Sequence, residues 1–399
     1  MPSPSNDRSL RVVYLDHTGA PSGAELALAR LLPGLPDVDA HVILGEDGPL
    51  AGQLDRAGAE VEVLALASAA RGLDRSRVGP RVPLGAVGAT SAYVLRLARR
   101  LRALRPDVVH ANSLKSGVYG SVAARLARRP FVWHVHDRIA ADYMPSAAAT
   151  MIRTMLATLP DAVIANSETT RATLGALRRP VVRTIGNALP ATLLDGGVPA
   201  VEHSPLCIGL VGRIAPWKGQ DVFLRAFARA FSGDETRAVI VGAPLFGQDD
   251  VERSLHALAT ELHIEDRVEF RGFRDDVAAE LARLDVVVHA STLPEPFGQV
   301  VVEGMAAGLP VIAAVPGGPA EIVDDGVTGL LYPAGDISAL AHSMRGLADD
   351  RDERLRLGRA GRERARDFSA ARIGSAVRDL YTTVLHRKAG APSCDRDPG

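Results

Sequence analysis

The stretch Pro294–Ala313 reads PEPFGQVVVEGMAAGLPVIA and contains a loop, a helix and a strand in succession. Residues Gln299–Ala307 predict the helix, because Gly308 follows as an end signal and Pro310 cannot continue a helix. The apolar residues Val311–Ala314 predict the buried strand that comes next. This succession of loop, helix and strand is the repeating unit of an α/β protein.

The same stretch offers groups that suit a ligand. Gly298 permits close approach of the backbone to a ligand, and the helix start after it presents free N–H groups and a partial positive charge, which suit a phosphate. Glu295 lies in the loop and Glu303 about one turn inside the helix, so two carboxylates could hold hydroxyl groups. Phosphate and hydroxyls together indicate a sugar nucleotide, although solvated glutamates on an ordinary helix explain the spacing equally well.

Length and composition limit the classes of protein that this chain represents. A chain of 399 residues predicts two domains, and 47% hydrophobic with 23% charged residues is typical of a globular protein. A net charge of -1 argues against a dedicated nucleic-acid binder. Cys207 falls in a predicted strand and Cys394 in the C-terminal tail, so we expect no disulfide framework.

Short apolar strands alternate with helices in two blocks, and such strands are typical of a parallel sheet covered on both faces. The first block has predicted strands at Leu10–Asp16, Ala40–Leu44, Val61–Leu66, Val108–His110, Phe131–His134, Ala162–Ala165 and Val181–Ile185, with helices at Ala24–Leu32, Val87–Leu104 and Gly117–Ala127. The second has predicted strands at Cys207–Val211, Ala238–Val241, Val268–Phe270, Val286–His289, Val311–Ala314 and Gly329–Tyr332, with helices at Asp221–Phe231, Val251–Leu262 and Glu353–Arg366.

The two blocks predict two doubly wound, Rossmann-like α/β domains. We assign residues 1–188 to an N-terminal domain, 189–205 to a linker rich in Pro and Gly, and 206–369 to a C-terminal domain. Residues 370–388 predict a terminal helix and 389–399 a disordered tail. Ligands bind beyond the carboxyl ends of the strands in such sheets, so two facing domains would form a cleft.

A second segment with a chemical signal follows the first strand of the second block. It reads VGRIAPWKGQ over Val211–Gln220 and contains Arg213 and Lys218, the latter in a chain that has almost no lysine. A guanidinium and an ammonium group at the carboxyl end of a strand suit a diphosphate. A solvated loop is the alternative interpretation.

These segments resemble motifs of the retaining glycosyltransferases of family 4. Pro294–Ala313 is similar to the family pattern E-x-F-G-x-x-x-x-E-A-M-A-x-G-x-P-V-I-A and departs from it at Gly304, where the family usually has Ala. Val211–Gly219 is similar to the family's V-G-R-x-x-x-x-K-G element. The resemblance covers most of Leu10–Arg387 and implies the GT-B fold, whose last helix typically crosses back onto the first domain.

The resemblance also implies roles for individual residues. Glu303 would bind the ribose and Glu295 the hydroxyls of the donor sugar. Arg213 and Lys218 would stabilise negative charge on the leaving diphosphate. Further donor contacts are implied at Phe297, Gly298, Gln299 and Val300, and contacts with the nucleotide base at Arg271, Gly272 and Phe273.

The first domain also contains segments that resemble family elements. Thr18–Glu25 is similar to a glycine-rich loop, and its Gly23 could approach the donor phosphate or the acceptor. His136 and Asp137 match a His-Asp pair that the family places against the transferred sugar, whereas a satisfied strand-end histidine is the alternative. No third ligand for a metal and no D-x-D motif is evident, so we expect no metal and no cofactor beside the donor substrate.

The region 71–138 carries fourteen Lys or Arg and three Asp. Within it, Tyr93–Arg105 places five arginines among apolar residues, which fits a basic amphipathic face for an anionic membrane or a lipid-linked acceptor. A domain helix with its arginine face in water is the alternative. The polar residues 1–9 show no signal peptide, and no apolar run reaches the roughly eighteen residues of a membrane span, so we expect a cytoplasmic protein, with or without peripheral contact at the inner face of the membrane.

The sequence therefore predicts a retaining, metal-independent, hexosyltransferase-type enzyme. It would move a sugar from a nucleoside-diphosphate sugar to an acceptor hydroxyl in glycan, glycolipid or glycoconjugate biosynthesis. The alternatives are a sugar phosphorylase or a nucleotide-sugar epimerase on the same fold, and a non-catalytic sugar-nucleotide-binding protein. The acceptor is open between a glycan, a lipid-linked molecule and a small molecule, and no nucleic acid is expected as a partner.

Overall fold

The computed structural model describes residues 9–66, 84–196, 203–244 and 248–390. The chain divides into two compact units. Unit 1 contains the residues up to Ala188 and those from Ala370 onward, and unit 2 contains Leu189–Ser369. Each unit is built around one parallel sheet.

Unit 1 has a seven-stranded parallel sheet. Its strands are β1 (Leu10–Asp16), β2 (Val38–Leu44), β3 (Glu60–Val63), β4 (Val108–Ala111), β5 (Phe131–Val135), β6 (Ala162–Ala165) and β7 (Val181–Thr184). Their order across the sheet is β3-β2-β1-β4-β5-β6-β7, so the order reverses between β1 and β4. In an open α/β sheet, ligands bind beyond the carboxyl ends of the strands at such a reversal point.

Helices cover both faces of this sheet. They are α1 (Gly23–Leu31), α2 (Pro49–Arg56), α3 (Leu84–Leu104), α4 (Leu114–Ala127), α5 (Ser146–Thr158), α6 (Glu168–Arg171) and, from the end of the chain, α15 (Ala370–Lys388). Successive residues of β1 point to opposite faces, so Val13 and Leu15 join one core cluster, while Val12 and Tyr14 join the other. Helix α15 belongs to the second cluster, in which Tyr381 is fully buried.

Unit 2 has a six-stranded parallel sheet. Its strands are β8 (Cys207–Val211), β9 (Arg237–Val241), β10 (Val268–Gly272), β11 (Val286–His289), β12 (Val311–Val315) and β13 (Leu330–Pro333). Their order is β10-β9-β8-β11-β12-β13, so the reversal point lies between β8 and β11. The helices are α7 (Ala191–Gly196), α8 (Gln220–Ala230), α9 (Asp249–Glu261), α10 (Val277–Leu281), α11 (Gln299–Ala306), α12 (Pro319–Ile322), α13 (Ile337–Asp349) and α14 (Arg351–Ala365).

The predicted class of two doubly wound, Rossmann-like α/β units is confirmed, and every predicted strand is present with ends that differ by at most three residues. The 13-residue helices α5 and α13 were not predicted. The stretch assigned to a linker begins inside unit 2, because Leu189 and Leu193 are buried in its core. Residues 391–399 of the predicted tail lie outside the described residues. Among the described helices, none combines the length and apolarity that a membrane crossing requires.

Candidate functional site

A lysine–glutamate pair lies at the reversal point of the unit 2 sheet. Lys218 follows β8 and Glu295 follows β11, and these two strands are neighbours. The ammonium Nζ of Lys218 donates to Glu295 Oε1 at 2.7 Å and to Oε2 at 2.9 Å. The two side chains keep 22% and 19% of their surface exposed, so a ligand can reach them.

A serine holds the carboxylate of Glu295, and a histidine lies beside it. Ser291 Oγ donates to Oε2 at 2.8 Å, and His289 Nε2 lies 3.5 Å from the same oxygen. Burial by itself would raise the pKa of Glu295, but the charge of Lys218 and the contact with His289 bring the pKa well below its ordinary value. Glu295 is therefore an ionised carboxylate in a fixed orientation, able to accept hydrogen bonds from a ligand.

Main-chain contacts fasten the loops after β8 and β11 to each other. Thr292 N–H donates to Trp217 O at 2.8 Å. Gly219 has a φ of 69°, and a Cβ at this position would lie 1.9 Å from Ala290 O, so only glycine allows the approach. The two loops therefore form one surface, on which the lysine–glutamate pair lies.

Arg213, the other predicted phosphate ligand, lies in the loop after β8. Its guanidinium carbon is 5.0 Å from the centre of the Trp217 ring, which is a cation–π geometry. Gln220 Nε2 donates to the carbonyl oxygen of Arg213 at 2.9 Å. Since Lys218 lies in the same loop, two cations stand near one reversal point.

Helix α11 begins with a side-chain amide that has no partner. Gly298 precedes the helix with a φ of 102°, a conformation that favours glycine. Both polar side-chain atoms of Gln299 are buried, and neither has a hydrogen-bond partner among the described residues. Buried amide groups normally have partners, so these atoms and the N–H groups of the first helical turn mark a place for a polar ligand.

The loop before α11 is fixed by the segment that follows β12. Gly318 N–H donates to Glu295 O at 2.8 Å, and a Cβ on Gly318 would lie 2.3 Å from Phe297 O. Phe297 is 5% exposed, and its ring packs edge-on against Phe368 with centres 5.7 Å apart. The side chain of Phe297 therefore belongs to the core, which limits its predicted donor contact to main-chain atoms.

Helix α11 packs closely on strands β11 and β12. Its Glu303 is only 5% exposed, so this carboxylate is not the solvated glutamate of an ordinary surface helix. A Cβ on the next residue, Gly304, would lie 3.0 Å from Val311 Cγ1 and 3.2 Å from Val287 Cβ. The departure from the family's usual alanine thus coincides with two β-branched residues beneath the helix.

Three glycines with positive φ stand at the ends of neighbouring strands. Gly212, Gly242 and Gly272 have φ values of 151°, 145° and 66°. Gly242 N–H donates to Gly272 O at 2.9 Å, and a Cβ on Gly242 would lie 2.0 Å from Gly212 O. A Cβ on Gly212 or on Gly272 would meet no atom within 4 Å, so open space lies beside the ends of β8 and β10.

The predicted base-binding residues at the end of β10 differ in their surroundings. Arg271 donates to Glu269 Oε1 at 2.8 Å and to Glu280 Oε1 at 3.1 Å, and the hydrogen bond with Glu280 raises the pKa of Arg271. The charge of Arg271 is therefore balanced within unit 2. Phe273 is 60% exposed and follows Gly272, so its ring is available for stacking. Base binding by this segment stays a prediction.

The reversal point of unit 1 carries a different group of side chains. Asp16 ends β1 and Glu25 lies in the first turn of α1, and they are 0% and 2% exposed. His17 Nδ1 lies 3.2 Å from Asp16 Oδ1 and 3.7 Å from Glu25 Oε1. Asn112, which follows β4, donates from Nδ2 to Asp16 Oδ2 at 2.9 Å.

The two carboxyl groups of this cluster are both buried, and this changes the acidity of Glu25. Burial, followed by the neighbouring charge of Asp16, raises the pKa of Glu25 to about 8, so Glu25 keeps its proton at neutral pH. Ser22 donates a hydrogen bond to Glu25. Ligand atoms of Asp16, His17 and Glu25 lie within 4.8 Å of one another, the one such group in the described part of the chain. Ser22, Asn112 and the main-chain N–H of His17 already donate to these carboxyl groups, and we assign no metal there.

A row of buried histidines lies beside this cluster. The rings of His134 and His136 stack with centres 4.0 Å apart, and that of His110 lies 5.4 Å from His134. Burial lowers the pKa of His136 to about 4 and that of His110 to about 3, and it brings the pKa of His134 well below the ordinary value. His136 Nε2 lies 3.2 Å from Asn112 Oδ1. The predicted catalytic His136 is thus a buried neutral imidazole, and its contact with a transferred sugar stays a prediction.

Two other predicted residues of unit 1 lie near these groups in the sequence. Gly23 is the exposed first residue of α1, and a Cβ there would meet no atom within 4 Å. Asp137 Oδ1 accepts a hydrogen bond from Tyr143 Oη at 2.8 Å. Gly23 therefore leaves room for a ligand, whereas Asp137 has a partner within its own unit.

Sequence reasoning missed side chains at both reversal points. In unit 2 it did not identify Ser291, which donates to Glu295, or His289, which lies beside the same carboxylate. In unit 1 it placed Asp16 at the end of a predicted strand without a role, and it did not mention His17. The position of these residues at strand ends is visible in the sequence. It indicates a ligand site only once the strand order shows which strand ends lie at a reversal point.

Comparisons with known proteins agree with this architecture. The family model described as Glycosyltransferase Family 4 matches residues 50–192, and the model described as Glycosyl transferases group 1 matches residues 199–364. The D-inositol 3-phosphate glycosyltransferase of Stackebrandtia nassauensis is 30% identical over 314 residues, which are 72% of this chain and 70% of that relative. The protein of the same name from Streptomyces avermitilis is 31% identical over 309 residues, 71% and 67% of the two chains.

A solved structure matches nearly the full length of the chain. The crystal structure of HepE from Anabaena in complex with UDP-glucose superposes with a TM-score of 0.80 at 29% identity. The match covers 94% of this chain and 99% of that one. Both units therefore have counterparts in a protein of known structure.

Proposed function

The chain belongs to glycosyltransferase family 4 and is a glycosyltransferase, and we propose that it is a retaining, metal-independent enzyme whose donor is a uridine-diphosphate sugar. The observation that carries the proposal is the surface formed by the loops after β8 and β11, which brings Lys218 and Glu295 together beside Arg213. The UDP-glucose bound to HepE supports the choice of nucleotide.

We assign the donor diphosphate to the two cations and to the first turn of α11. Lys218 has three N–H donors and gives two hydrogen bonds to Glu295, so a further donor remains for a phosphate oxygen. The main-chain N–H groups of Gln299 and Val300 and the dipole of α11 add positive potential. These groups would stabilise the negative charge that develops on the leaving diphosphate.

The two glutamates would hold the two ends of the donor. Glu295 would accept hydrogen bonds from hydroxyl groups of the sugar, since it is ionised and held by hydrogen bonds from Lys218 and Ser291. Glu303, buried on α11, would accept from the ribose. The open space beside Gly212 and Gly272 would take the nucleoside, with the exposed ring of Phe273 at its border.

For the transfer itself we propose attack on the same face from which the diphosphate leaves. A bond forms between the acceptor oxygen and the anomeric carbon as the bond from that carbon to the phosphate oxygen breaks. The electron pair of the broken bond leaves with the diphosphate, whose oxygen takes the proton of the acceptor hydroxyl group. The charge of Glu295 is engaged by Lys218, which supports a positioning role over that of a nucleophile. Nuclear magnetic resonance of the product should show the anomeric configuration of the donor, and an inverted product would contradict retention.

Metal independence is supported by the presence of Arg213 and Lys218, because they take the charge that a divalent ion would otherwise balance. We expect the transfer rate to be unchanged by excess EDTA and by added Mg²⁺ or Mn²⁺. A rate that falls with EDTA and recovers with a divalent cation would contradict this part of the proposal.

For the acceptor we propose a small phosphorylated polyol. The relatives from Stackebrandtia nassauensis and Streptomyces avermitilis are both named D-inositol 3-phosphate glycosyltransferases, which supports this class. We would measure UDP release from UDP-glucose with D-inositol 3-phosphate, free myo-inositol and glycerol 3-phosphate. A sugar phosphorylase would instead need free phosphate, and an epimerase would turn over the donor without any acceptor.

Donor binding can be tested without knowing the acceptor. Calorimetry with UDP-, GDP-, ADP- and TDP-glucose should show tight binding of the uridine nucleotide alone. Arg213→Ala and Glu303→Ala should each weaken binding of UDP roughly tenfold to a hundredfold, the effect of losing a hydrogen bond that involves a charged group. Unchanged affinity in both variants would remove the diphosphate and ribose assignments.

The outer faces of α3 and α4 form a basic apolar surface, which we define as Leu95, Arg99, Val122, Arg125 and Leu126. The three apolar side chains are 50%, 39% and 41% exposed, and both arginines are exposed. Neither helix contains an acidic residue, and the two helices pack against each other. We propose that this surface makes peripheral contact with an anionic membrane. Residues 71–83 of the predicted basic region lie outside the described residues.

Vesicle sedimentation tests the membrane proposal. We expect the chain to bind vesicles that contain phosphatidylglycerol and not vesicles of phosphatidylcholine alone. The double variant Arg99→Glu/Arg125→Glu should abolish binding, whereas Arg225→Glu/Arg229→Glu on the exposed face of α8 changes the net charge equally and should have little effect. Equal losses in both double variants would indicate a response to net charge and contradict a defined surface.

A further inference from the structure

His17 has an oriented ring at the reversal point of unit 1 that the donor site does not use. Its main-chain N–H donates to Asp16 Oδ1 at 2.7 Å. Its ring Nδ1 lies 3.2 Å from the same oxygen and 3.0 Å from Ser113 Oγ. Asp16 is fully buried, and its other oxygen accepts from Asn112, so the carboxylate is held toward the ring.

These partners determine which ring nitrogen carries the proton. The main-chain N–H of His17 and the side-chain amide of Asn112 both donate to Asp16, so this carboxyl group accepts in its contacts and Nδ1 of His17 donates to it. Ser113 Oγ donates to Ser116 Oγ, which leaves its lone pairs to accept from Nδ1 as well. In the neutral ring, Nε2 is then an unprotonated acceptor.

The accepting nitrogen is available to a ligand. His17 Nε2 has no hydrogen-bond partner among the described residues, and 26% of the side chain is exposed. Among the described residues, no Lys or Arg forms an ion pair with Asp16 or Glu25. An oriented, partly exposed acceptor nitrogen suits a hydroxyl group, which can donate a hydrogen bond to it.

We propose that His17 Nε2 accepts a hydrogen bond from a hydroxyl group of the acceptor, and that Asp16 positions the ring for this contact. The inference rests on the proposed function and deepens it, because it names a residue of this chain that selects the polyol. His17 follows β1 at the edge where a doubly wound sheet binds its ligand. The donor contacts assigned above all belong to unit 2.

Unit 2 supplies a matched control at the opposite edge of its sheet. His203 N–H donates to Asp285 Oδ1 at 3.1 Å, and His203 Nδ1 lies 3.1 Å from the same oxygen. The other oxygen of Asp285 accepts from Cys207 N–H at 2.7 Å, and the His203 side chain is 30% exposed. This pair repeats the geometry of Asp16 and His17, but it precedes β8 and β11, at the ends where such sheets do not bind ligands.

The test compares steady-state kinetics of the full chain with UDP-glucose and D-inositol 3-phosphate. His17→Ala should raise the acceptor KM roughly tenfold to a hundredfold, while the KM for UDP-glucose stays unchanged. His17→Gln, whose amide oxygen can accept, should recover part of the loss. Asp16→Asn should raise the acceptor KM in the same direction, and His203→Ala should leave both KM values unchanged.

Acceptor analogues that lack one hydroxyl group separate contact from folding. One deoxy analogue should raise the acceptor KM of the wild type about as much as His17→Ala raises it with the complete acceptor. The same analogue should not raise the acceptor KM of the His17→Ala variant any further. If every analogue raised the acceptor KM by the same factor in the wild type and in the variant, the proposal would be overturned. If wild-type protein binds UDP-glucose but transfers to no polyol, the polyol acceptor and the role of His17 are overturned, while the donor site stands.

Discussion

The two sheets reverse their strand order in the same way, yet the side chains at the two reversal points balance charge differently. In unit 2, the carboxylate of Glu295 has the ammonium group of Lys218 as its partner at 2.7 Å. In unit 1, no Lys or Arg of the described ranges forms an ion pair with Asp16 or Glu25, and burial raises the pKa of Glu25 to about 8, so this group keeps a proton at neutral pH. The ammonium group of Lys218 suits an anionic leaving group. A carboxyl pair in which one member is protonated suits neutral hydroxyl groups.

The difference in charge balance also changes how each site responds when one charged side chain is replaced. A buried carboxylate that loses its cation becomes an uncompensated charge, which costs several kcal/mol. A carboxyl pair in which one member is already protonated loses little when that member becomes an amide. The same kind of substitution should therefore have opposite consequences at the two reversal points.

The largest effect is expected for Lys218→Ala. The change removes a donor to the diphosphate and leaves Glu295 unpaired, so transfer from UDP-glucose should fall roughly 10²–10³-fold. The double variant Lys218→Ala/Glu295→Gln should be little slower than the worse single variant, because the two groups act as one unit.

Lys388 provides the control for Lys218. Its Nζ lies 3.1 Å from Asp161 Oδ2 in an ion pair that is 43% exposed on the lysine side. Surface pairs of this kind contribute little, so Lys388→Ala should transfer sugar at the wild-type rate. If the double variant lost as much transfer rate as the two single variants combined, Lys218 and Glu295 would not act as a unit. The contrast drawn between the two reversal points would then be wrong.

The second effect is on stability, and it concerns Glu25→Gln. Between the ordinary pKa of 4.5 and the raised pKa of about 8, folded chains bind more protons at Glu25 than unfolded chains do. The free energy of unfolding therefore falls as pH rises through this window, at about 1.4 kcal/mol for each unit of pKa shift. Glutamine lacks this slope, so the variant should gain stability relative to wild type, by a few kcal/mol at pH 8.5 and less at pH 5.

Tryptophan fluorescence can follow this effect in unit 1 alone. The chain has two tryptophans, and Trp133 is fully buried in unit 1. Urea titrations in a Trp217→Phe background would report its unfolding at each pH. Glu261→Gln, an exposed change on α9, should show no pH-dependent difference. A constant difference between Glu25→Gln and wild type at all pH values would disprove the proton on Glu25.

A smaller effect is expected at the buried histidine row. Neither ring nitrogen of His134 has a partner among the described residues, and burial brings its pKa well below the ordinary 6.5. The neutral ring is therefore favoured in the folded state, so this part of the stability is present above pH 6.5 and is lost as pH falls below it. His134→Leu should be within about 1 kcal/mol of wild type at pH 7.5, because it leaves no unpaired polar group.

Acid titration distinguishes this account from a general acid effect. The His134→Leu variant should lose less stability than wild type between pH 6.5 and 4, again measured through Trp133. Part of the slope should remain, because burial also lowers the pKa of His110 and of His136. An unchanged slope would show that the ring of His134 does not govern the acid response.

The fold and the donor side could be predicted from the sequence for physical reasons. Buried parallel strands are continuous apolar runs, so β1, β6, β8 and β11 have the predicted bounds. Glu295 and Glu303 lie within one short stretch with a glycine and a helix start, so local spacing describes most of their environment. Arg213 and Lys218 are likewise confined to a single loop.

The unit 1 cluster could not be predicted because its members meet through strand order. Asp16 and Asn112 are 96 positions apart in the sequence and are joined by a 2.9 Å hydrogen bond across neighbouring strands. The raised pKa of Glu25 depends on burial and on Asp16, neither of which a local pattern shows. Helix α13 was missed as well, although its Asp336 caps the first turn, because no motif drew attention to it.

The smallest effect is expected for Gly304→Ala, which restores the residue usual in the family. Alanine favours the helix by about 1 kcal/mol over glycine, but the new Cβ would lie 3.0 Å from Val311 Cγ1 and 3.2 Å from Val287 Cβ. These opposing terms should leave the melting temperature within a few degrees of wild type. In a Val311→Ala background the nearest crowding atom is absent, so the same change should stabilise the protein. If Gly304→Ala instead weakened UDP binding strongly while folding stayed intact, helix α11 would transmit packing to the donor site, and the charge balance at Glu295 would depend on this contact as well.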